Sequence, residues 1–521
     1  MRIFILNVLY FLLISNQVFC SEQKQPLQKN PNESMQNESM QHDSASDKPV
    51  TKSKKNKRRQ LLNKIREGVV IIKTKAHVNA TQTNDQSWSG TGFIVDKKLG
   101  IIVTNRHVAG SFSVCSYELK FSNGSKAVGY RRWVHPFLDF AFIKVDPKDI
   151  PEDCQALDLS DKKLKLNDSV NVMGNAAGDE FSTQEGTIFN TFDTLTAFND
   201  QSFHYAGLTV GGASGSPIFD SKGKVVGIVY GGKFVSGTGL PILYIKDALS
   251  YLQKGKNPPA RGIGTRLEFS SIDQLMAAGF VTEQFSKKYR HDFPEAKGKI
   301  LRVKHVISGF DGATLFEPGD ILLEVNKQPI GPNLIDLSRV IDVSTEALNF
   351  KVLRNEIEKE ISVTPSLLIH GSEDKMISFL GTVWFEHHDQ LTVSLGIRES
   401  GVYFSGISAT SPLRSDGTNL GSGWGWGWGS SIYKLVEIDG KPVQSLKDLE
   451  AMIPEIEKKS VFTLRYIDFF GRDDFLNLFK QVDHNPREIM VRYEKAFDTP
   501  KRFDWDPKTY VWNDTSLGGK K

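Results

Sequence analysis

Short apolar segments separated by turn residues fill the chain from residue 68 to about residue 255. Residues 170–175 and 225–230 are two examples, and glycine or asparagine stands at or just beyond the end of each. Several short strands at such close spacing are typical of an all-β sandwich or barrel. The pattern therefore predicts an all-β double barrel over this region. With 521 residues in total, the chain is long enough for about three domains.

A serine surrounded by glycines lies inside this region. Residues 211–217 read Gly-Gly-Ala-Ser-Gly-Ser-Pro. Each glycine lowers stability unless the backbone needs an unusual conformation or another group must approach closely. Around a nucleophilic serine, such a turn can direct the amide N–H groups of Gly212 and Ser214 at one point, where an oxyanion develops. The motif predicts a nucleophile at Ser214, which needs a histidine base and an orienting carboxylate.

Both partners are found upstream of the serine. His107 follows a predicted strand that ends near Asn105, and Asp139 lies at the entry to the apolar segment 140–143. A carboxylate in that position is expected to be partly buried, where it holds a neutral imidazole in one tautomer. Each residue alone would more often be a turn or surface residue. Together they give the chain order His, Asp, Ser, which is the order of the chymotrypsin triad.

The segments around these residues resemble the HtrA/DegP-type serine proteases. The resemblance is carried by residues 89–95, 99–108, 138–142 and 211–217. It is greatest for the branch of the fungal nuclear HtrA-like proteases, whose serine turn also ends in Ser-Pro. It implies a chymotrypsin-like double barrel with His107 as base, Asp139 as orienting acid and Ser214 as nucleophile. It also implies an oxyanion hole at the amides of Gly212 and Ser214, and hydrolysis of peptide bonds without a metal or other cofactor.

The specificity pocket is predicted less clearly than the triad. Thr209 and Val210 precede the serine turn, and Val229 lies on the next predicted strand. No acidic residue stands at the expected base of the pocket. This favours small or medium apolar side chains over a trypsin-like preference, as the resemblance also implies. The alternative is that these residues belong only to the barrel core.

Two smaller α+β modules are predicted after the double barrel. Residues 318–326 read Pro-Gly-Asp-Ile-Leu-Leu-Glu-Val-Asn and resemble the PDZ domain, and a weaker copy follows at residues 433–443. PDZ domains bind extended peptides by adding a strand to a sheet edge. The resemblance therefore implies capture of peptide termini or regulation of the protease. For the second copy a packing role is an equal alternative, because the Gly/Trp stretch at residues 421–429 interrupts it.

The N-terminus predicts a location. An apolar run at residues 3–14 is short for a membrane span and is typical of a signal peptide, with cleavage close to Cys20. Retention of the run as a membrane anchor is the alternative. The polar segment that follows cannot bury enough apolar surface to order itself and is predicted to be a disordered linker. The expected location is the secretory pathway, with a periplasmic or extracellular mature protein.

The predicted fold class is an all-β chymotrypsin-like double barrel followed by two α+β PDZ-like domains. The predicted boundaries are a signal peptide at 1–20, a polar linker at 21–60, a protease domain at 61–257, PDZ-like domains at 261–368 and 376–484, and a C-terminal extension at 485–521.

The predicted function is a serine endopeptidase acting on misfolded or selected proteins. Its expected partners are polypeptide substrates and peptide termini, and the resemblance implies homo-oligomers. A net charge of +4 gives no reason to predict nucleic acid as a binding partner. The alternative function is a latent protease acting mainly as a peptide-binding chaperone or adaptor. It stays open because the sequence does not reveal how the peptide between Gly211 and Gly212 is oriented.

Overall fold

The computed structural model describes most of the chain beyond residue 51. The described residues are 52–79, 87–110, 113–194, 200–207, 209–233, 235–307, 310–368, 374–388, 391, 397, 399–408, 410–417, 432–469, 486–494 and 499–518. The predicted signal peptide and the Gly/Trp stretch lie outside these ranges. Within them, no helix has the length and apolar character that crossing a bilayer requires.

A helix opens the described part of the chain. This helix, α1 (Lys52–Gly68), contains mostly lysine, arginine, leucine and glutamine, which favour helix formation. Ile65 is buried in the core below the helix, and Leu62 packs against the same core. The last part of the predicted polar linker is therefore helical, because an apolar face just beyond it anchors the helix.

Six antiparallel strands form the first barrel. They are β1 (Val69–Asn79), β2 (Ser87–Asp96), β3 (Ile101–Thr104), β4 (Ser113–Phe121), β5 (Lys126–Val134) and β6 (Ala141–Val145). The barrel closes because β1 pairs with both β2 and β4. The short helix α2 (Arg106–Ala109) follows β3. Burial along β5 alternates between neighbouring residues, as expected for a strand with one face on a core.

Six further strands form the second barrel. They are β7 (Ser169–Ala176), β8 (Asp179–Asp193), β9 (Ser202–Ala206), β10 (Pro217–Phe219), β11 (Val225–Lys233) and β12 (Ser236–Pro241). This barrel closes through β10, which pairs with both β7 and β11. The helix α3 (Ile242–Leu252) packs against both barrels, and its apolar residues join a shared core with Phe142 and Phe219.

The first module follows the barrels. Its strands are β13 (Arg261–Gly262), β14 (Thr265–Ser271), β15 (Lys299–Val306), β16 (Ile321–Val325), β17 (Gln328–Pro329), β18 (Leu348–Arg354), β19 (Ile357–Val363) and β20 (Ser366–Leu367). Its helices are α4 (Ile272–Ala277), α5 (Glu283–Asp292) and α6 (Leu334–Val343). The main sheet has the order β14, β15, β16, β18, β19, with β17 paired to β16, while β13 pairs with β20. Asp320 of the PDZ-like motif is buried and bonds the guanidinium of Arg354.

The second module completes the described chain. Its strands are β21 (Lys375–Phe379), β22 (Thr382–Glu386), β23 (Val402–Ser405), β24 (Tyr433–Ile438), β25 (Lys441–Pro442), β26 (Val461–Asp468), β27 (Arg487–Arg492), β28 (Lys501–Asp506) and β29 (Val511–Ser516), with the helix α7 (Leu446–Ile456). One sheet runs β27, β26, β24, β23, β22, β21, β28, β29. Residues 485–521, predicted as an extension, thus contribute three strands to this sheet. Short 3₁₀ turns span Pro147–Asp149, Pro294–Ala296, Asp311–Thr314 and Pro412–Gly417.

The predicted fold class is confirmed. Two closed six-stranded barrels are followed by two β-rich modules, each with at least one helix over its sheet. The two barrels meet around the shared apolar core, and the polar residues discussed next lie in the loops where β3, β5 and β9 end.

Candidate active site

His107 lies on the short helix α2 directly after β3. The first barrel holds this helix from behind, because the carbonyl of Val108 accepts hydrogen bonds from the Thr74 hydroxyl at 2.7 Å and from the Trp88 indole at 2.9 Å. The His107 side chain itself is 46% exposed. The imidazole is therefore carried by a fixed backbone and remains accessible from solvent.

Asp139 receives two hydrogen bonds from His107. The ring Nδ1 lies 2.7 Å from Oδ2, and the backbone N–H donates to Oδ1 at 3.0 Å. Desolvation by the surrounding protein would by itself lower the pKa of His107, but the negative charge of Asp139 and the hydrogen bond to it leave that pKa raised. With Nδ1–H donating to the carboxylate, Nε2 of the neutral ring is left to accept a proton. The structure thus brings His107 and Asp139 together in the geometry of a base and its orienting acid.

The loop that carries Asp139 is fixed by two buried side chains. Nδ1 of His135 accepts the backbone N–H groups of Phe137 at 3.1 Å and Leu138 at 2.9 Å. The Asn105 side-chain amide donates to the carbonyl of Asp139 at 2.8 Å. The sequence reasoning did not assign either residue a role. A possible signal was the position of His135 at the start of the His-Pro-Phe-Leu-Asp segment.

The serine turn connects β9 to β10 and needs two of its glycines for steric reasons. Gly212 and Gly215 have φ angles of +90° and +86°, which L side chains rarely adopt. A Cβ at Gly212 would lie 2.1 Å from the carbonyl oxygen of Asn175, and one at Gly215 would lie 1.8 Å from that of Thr91. Both conditions that the glycine cluster predicts, an unusual backbone and a close approach, are present here.

Two amide groups of the turn have no acceptor within the described part of the chain. The N–H groups of Ala213 and Gly215 donate to backbone carbonyls at 3.1 and 2.8 Å. Those of Gly212 and Ser214 form no hydrogen bond with a described residue, and neither does the Ser214 hydroxyl. The turn therefore presents two unpaired donors beside a half-buried serine.

The peptide between Gly211 and Gly212 has a defined orientation. The Gly211 carbonyl accepts the N–H of Ala177 at 2.8 Å. Because a trans peptide holds its C=O and N–H on opposite sides, this bond directs the Gly212 N–H away from Ala177. A flipped peptide would place the carbonyl where the N–H now is, and would lose the bond to Ala177.

The three residues predicted to contact substrate lie in different environments. Thr209 is half-buried, and its hydroxyl lies 3.2 Å from the Tyr205 hydroxyl. Val210 is half-buried and its carbonyl accepts the N–H of Ala213. The Val229 side chain has no exposed surface and packs in the core of the second barrel. Thr209 and Val210 therefore stand at the serine turn, whereas Val229 offers no side-chain surface to a ligand.

Sheet edges differ between the two modules. In the first module, β14 is the last named strand of its sheet and is paired to β15 along its length. In the second module, β22 pairs with β23 on one side and with β21 on the other, through a tight turn at Leu380 and Gly381. Both edges of β22 are therefore occupied by neighbouring strands.

Other reactive groups are few in the described ranges. No group of three or more histidine, cysteine, aspartate or glutamate side chains there is arranged to hold a metal ion. Cys115 and Cys154 are free thiols. Burial raises the pKa of Cys115 to about 12 and that of Cys154 to about 11, so neither thiol is activated at neutral pH.

Comparisons with known proteins agree with the motifs. The family model "Trypsin-like peptidase domain" matches residues 90–228. The "Pro-apoptotic serine protease NMA111" of Yarrowia lipolytica is 27% identical over 451 residues, covering 82% of this chain and 45% of the relative. That of Debaryomyces hansenii is 29% identical over 385 residues, covering 70% and 38%. The chain thus spans less than half the length of these relatives.

Solved structures of HtrA-type proteases are also similar to the chain. "HtrA-type protease AlgW with decapeptide" has a TM-score of 0.43 and 16% identity, covering 59% of this chain and 98% of that one. The serine endoprotease from Yersinia pestis has a TM-score of 0.40 and 18% identity, covering 59% and 98%.

The resemblance predicted from the sequence motifs is confirmed. Residues 90–228 match the trypsin-like peptidase domain, and most of the chain is similar to fungal proteins named pro-apoptotic serine proteases. The enzyme class of its relatives is the predicted one, that of the serine-type peptidases.

The predicted location is wrong. The yeast relatives carry the name pro-apoptotic serine protease, and apoptosis is a process of the cell interior, which contradicts a periplasmic or extracellular protein. The prediction depended on the apolar run at residues 3–14. It failed because such a run shows that a segment is hydrophobic, and does not show in which compartment the protein is found.

Proposed function

We propose that the chain is a serine endopeptidase that hydrolyses peptide bonds of misfolded or selected polypeptides. The observation that carries the proposal is the pairing of His107 with Asp139, whose carboxylate accepts both the ring Nδ1–H and the backbone N–H. This pairing lies in the domain that contains the glycine-flanked Ser214.

The residues act in two similar half-reactions. Nε2 of His107 takes the proton of the Ser214 hydroxyl as its oxygen attacks the scissile carbonyl carbon. Asp139 stabilises the imidazolium that forms, and the imidazolium then protonates the leaving amine. Water, activated by the same histidine, hydrolyses the acyl-enzyme and restores Ser214.

The oxyanion of each tetrahedral intermediate is stabilised by the N–H groups of Gly212 and Ser214. Two observations support this role: neither amide has an acceptor among the described residues, and the Gly211 carbonyl is held by Ala177. Because a carbonyl directed into the hole would repel the oxyanion, this arrangement favours an active protease over the latent chaperone or adaptor.

We expect the primary specificity pocket to accept substrate side chains of small or medium size. Thr209 and Val210 border the serine turn and carry no charge, so a cationic side chain would find no partner at these two positions. The relatives are named serine proteases, which supports polypeptides as the substrate class.

The first module is proposed to bind peptide termini or to regulate the protease. The proposal rests on the motif at residues 318–326, whose resemblance to the PDZ domain implies peptide binding by strand addition, and whose Asp320 is buried and bonded to Arg354. In the second module both edges of β22 are occupied, by β21 and β23, which favours the alternative role of this module in packing.

Replacement of the nucleophile tests the proposal. We expect Ser214→Ala to abolish casein cleavage while its thermal unfolding stays close to that of the wild type, because the serine hydroxyl makes no hydrogen bond with a described residue. Ser221→Ala is the matched control, because Ser221 is exposed in the turn after β10. This variant should cleave casein at the wild-type rate. Casein cleavage by purified Ser214→Ala at the wild-type rate would refute the assignment.

A further inference from the structure

Thr91 belongs to β2 of the first barrel, yet it bonds the serine turn of the second. Its N–H donates to the Ser214 carbonyl at 2.7 Å, and its hydroxyl donates to the Gly212 carbonyl at 2.9 Å. The same hydroxyl oxygen accepts the N–H of Asn175 at 3.0 Å. The residue has no exposed surface. It therefore links the two barrels through the backbone of the proposed oxyanion hole.

The direction of these hydrogen bonds is fixed by chemistry. A threonine hydroxyl has one proton to donate, and the backbone N–H of Asn175 can only donate. The Thr91 oxygen must accept from Asn175, so its own proton goes to the Gly212 carbonyl. A side chain of the same shape without a hydroxyl would leave both the amide and the carbonyl without this partner.

The carbonyl groups around the two unpaired amides are all held. The Gly212 carbonyl is bonded by Thr91, the Gly211 carbonyl by Ala177, and the Ala213 carbonyl by the N–H of Ser216 at 3.0 Å. The Gly211 and Ala213 carbonyls share planar peptide units with the N–H groups of Gly212 and Ser214, so the bonds to these carbonyls fix the directions of those two N–H groups. The Gly212 carbonyl belongs to the peptide unit between them, whose N–H is that of Ala213 and donates to Val210. Among these carbonyls, only that of Gly212 is bonded by a side chain.

Both neighbours of Thr91 in the sequence are glycines, and neither position has room for a side chain. A Cβ at Gly90 would lie 2.6 Å from the Val108 side chain and 3.3 Å from the Ser214 carbonyl. A Cβ at Gly92 would lie 2.7 Å from the Ile72 side chain. A larger residue at Gly90 would crowd Val108 and the Ser214 carbonyl, and one at Gly92 would crowd the neighbouring strands of the first barrel.

We propose that Thr91 is a positioning residue for the oxyanion hole, acting through the Gly212 carbonyl. The inference rests on the proposed function, because the hole matters only if Ser214 attacks a carbonyl. Thr91 is too deeply buried to touch a substrate. Its effect is to hold the Gly212 backbone so that the neighbouring N–H groups point at the developing negative charge without reorganisation.

Two variants separate positioning from packing. Thr91→Val removes the hydroxyl and keeps the branched shape, whereas Thr91→Ser keeps the hydroxyl. Removal of one oxyanion-hole donor lowers kcat about 10²–10³-fold. A donor that is present but poorly oriented should lower kcat less, so we expect Thr91→Val to lower kcat on a peptide amide about 10–100-fold. KM should change less than about threefold, and Thr91→Ser should stay within about threefold of the wild type. The pH at half-maximal kcat/KM should not move, because Thr91 contacts neither His107 nor Asp139.

Thr382→Val is the matched control. Thr382 is a buried threonine of the second module whose hydroxyl donates to the Ser405 carbonyl at 2.7 Å, so this variant loses the same group away from the serine turn. It should lose stability but not kcat per folded molecule. The inference is overturned if Thr91→Val keeps the wild-type kcat, or if its loss of activity equals its unfolded fraction. Cleavage by Ser214→Ala would instead overturn the proposed function itself, so the two failures are distinguishable.

Discussion

At the scale of single residues, the proposed chemistry depends on the hydrogen bonds and the negative charge that Asp139 supplies to His107. The carboxylate bonds the ring and the backbone of the same histidine, at 2.7 and 3.0 Å, and raises the pKa of the ring against the opposing effect of desolvation. The neutral ring is the form that accepts the serine proton. Activity should therefore rise with pH through the raised pKa of His107.

Asp139→Asn tests this coupling. The amide cannot stabilise the imidazolium and favours the wrong tautomer, so we expect kcat to fall about 10³–10⁴-fold. The midpoint of kcat/KM against pH should move down, because the negative charge that raises the pKa of His107 is lost. Asp193→Asn is the control, since Asp193 bonds Nε2 of His204 at 2.7 Å in the second barrel. An unchanged pH midpoint in Asp139→Asn would contradict the account.

The sequence predicted these residues better than the ones that support them. His107, Asp139 and Ser214 have reactive side chains beside recognisable strand ends and glycines, so local patterns are enough to propose them as site residues. Thr91, Asn105 and His135 act through contacts with backbone groups up to 123 positions away, as from Thr91 to Ser214. No local pattern distinguishes Thr91 or Asn105 from an ordinary buried residue, and the position of His135 before Asp139 does not show which groups its ring bonds, so their roles needed the structure.

At the scale of elements, the helix α6 of the first module packs beside α3 of the protease domain. Arg339 on α6 bonds Asp247 on α3 through two nitrogens at 2.6 and 3.2 Å. Asp342, one turn along α6, accepts the N–H of Arg261 at 2.9 Å. Burial, with the nearby negative charge of Asp247, raises the pKa of Asp342 to about 7.

The raised pKa of Asp342 predicts a pH-dependent stability. The folded protein binds this proton up to about pH 7, while the unfolded chain releases it near the ordinary value of 3.8, so stability falls as pH rises from about 4 to about 7. Asp342→Asn should remove this fall and raise Tm at pH 8 by roughly 2–4 °C per kcal/mol recovered.

Thermal unfolding between pH 4 and 8 measures this effect. Asp179→Asn, at an exposed aspartate of the second barrel, should reproduce the wild-type profile. If Asp342→Asn shows the same fall of Tm with pH as the wild type, the burial of Asp342 is not the cause.

At the scale of the whole molecule, the second module packs on the barrel that carries His107 and Asp139. The guanidinium of Arg131 on β5 is buried and lies 4.6 and 5.2 Å from the ring centroids of Trp505 and Trp512, and it bonds Asp374 at 2.7 Å. Val114 of β4 joins the apolar cluster of that module. The module is therefore held to the first barrel by cation–π contacts, an ion pair and apolar packing.

The domain types could be predicted from the sequence, but this arrangement could not. Short strands with turn residues identify the barrels, and a Pro-Gly-Asp motif identifies the first module. The strand β28 pairs with β21 across more than a hundred residues, and Arg131 contacts tryptophans over 370 positions later. Such long-range pairing depends on which edges and faces remain free after the local elements form, and local patterns do not contain that information.

Labelling with a fluorophosphonate probe tests the central claim most directly. The probe phosphonylates a serine whose hydroxyl is activated by a histidine beside a formed oxyanion hole. The account predicts that the native protein is labelled at Ser214 alone, located by peptide mass spectrometry, and that Asp139→Asn is labelled far more slowly. Native protein that stays unlabelled at Ser214, or that is labelled there no faster than after unfolding, would contradict it.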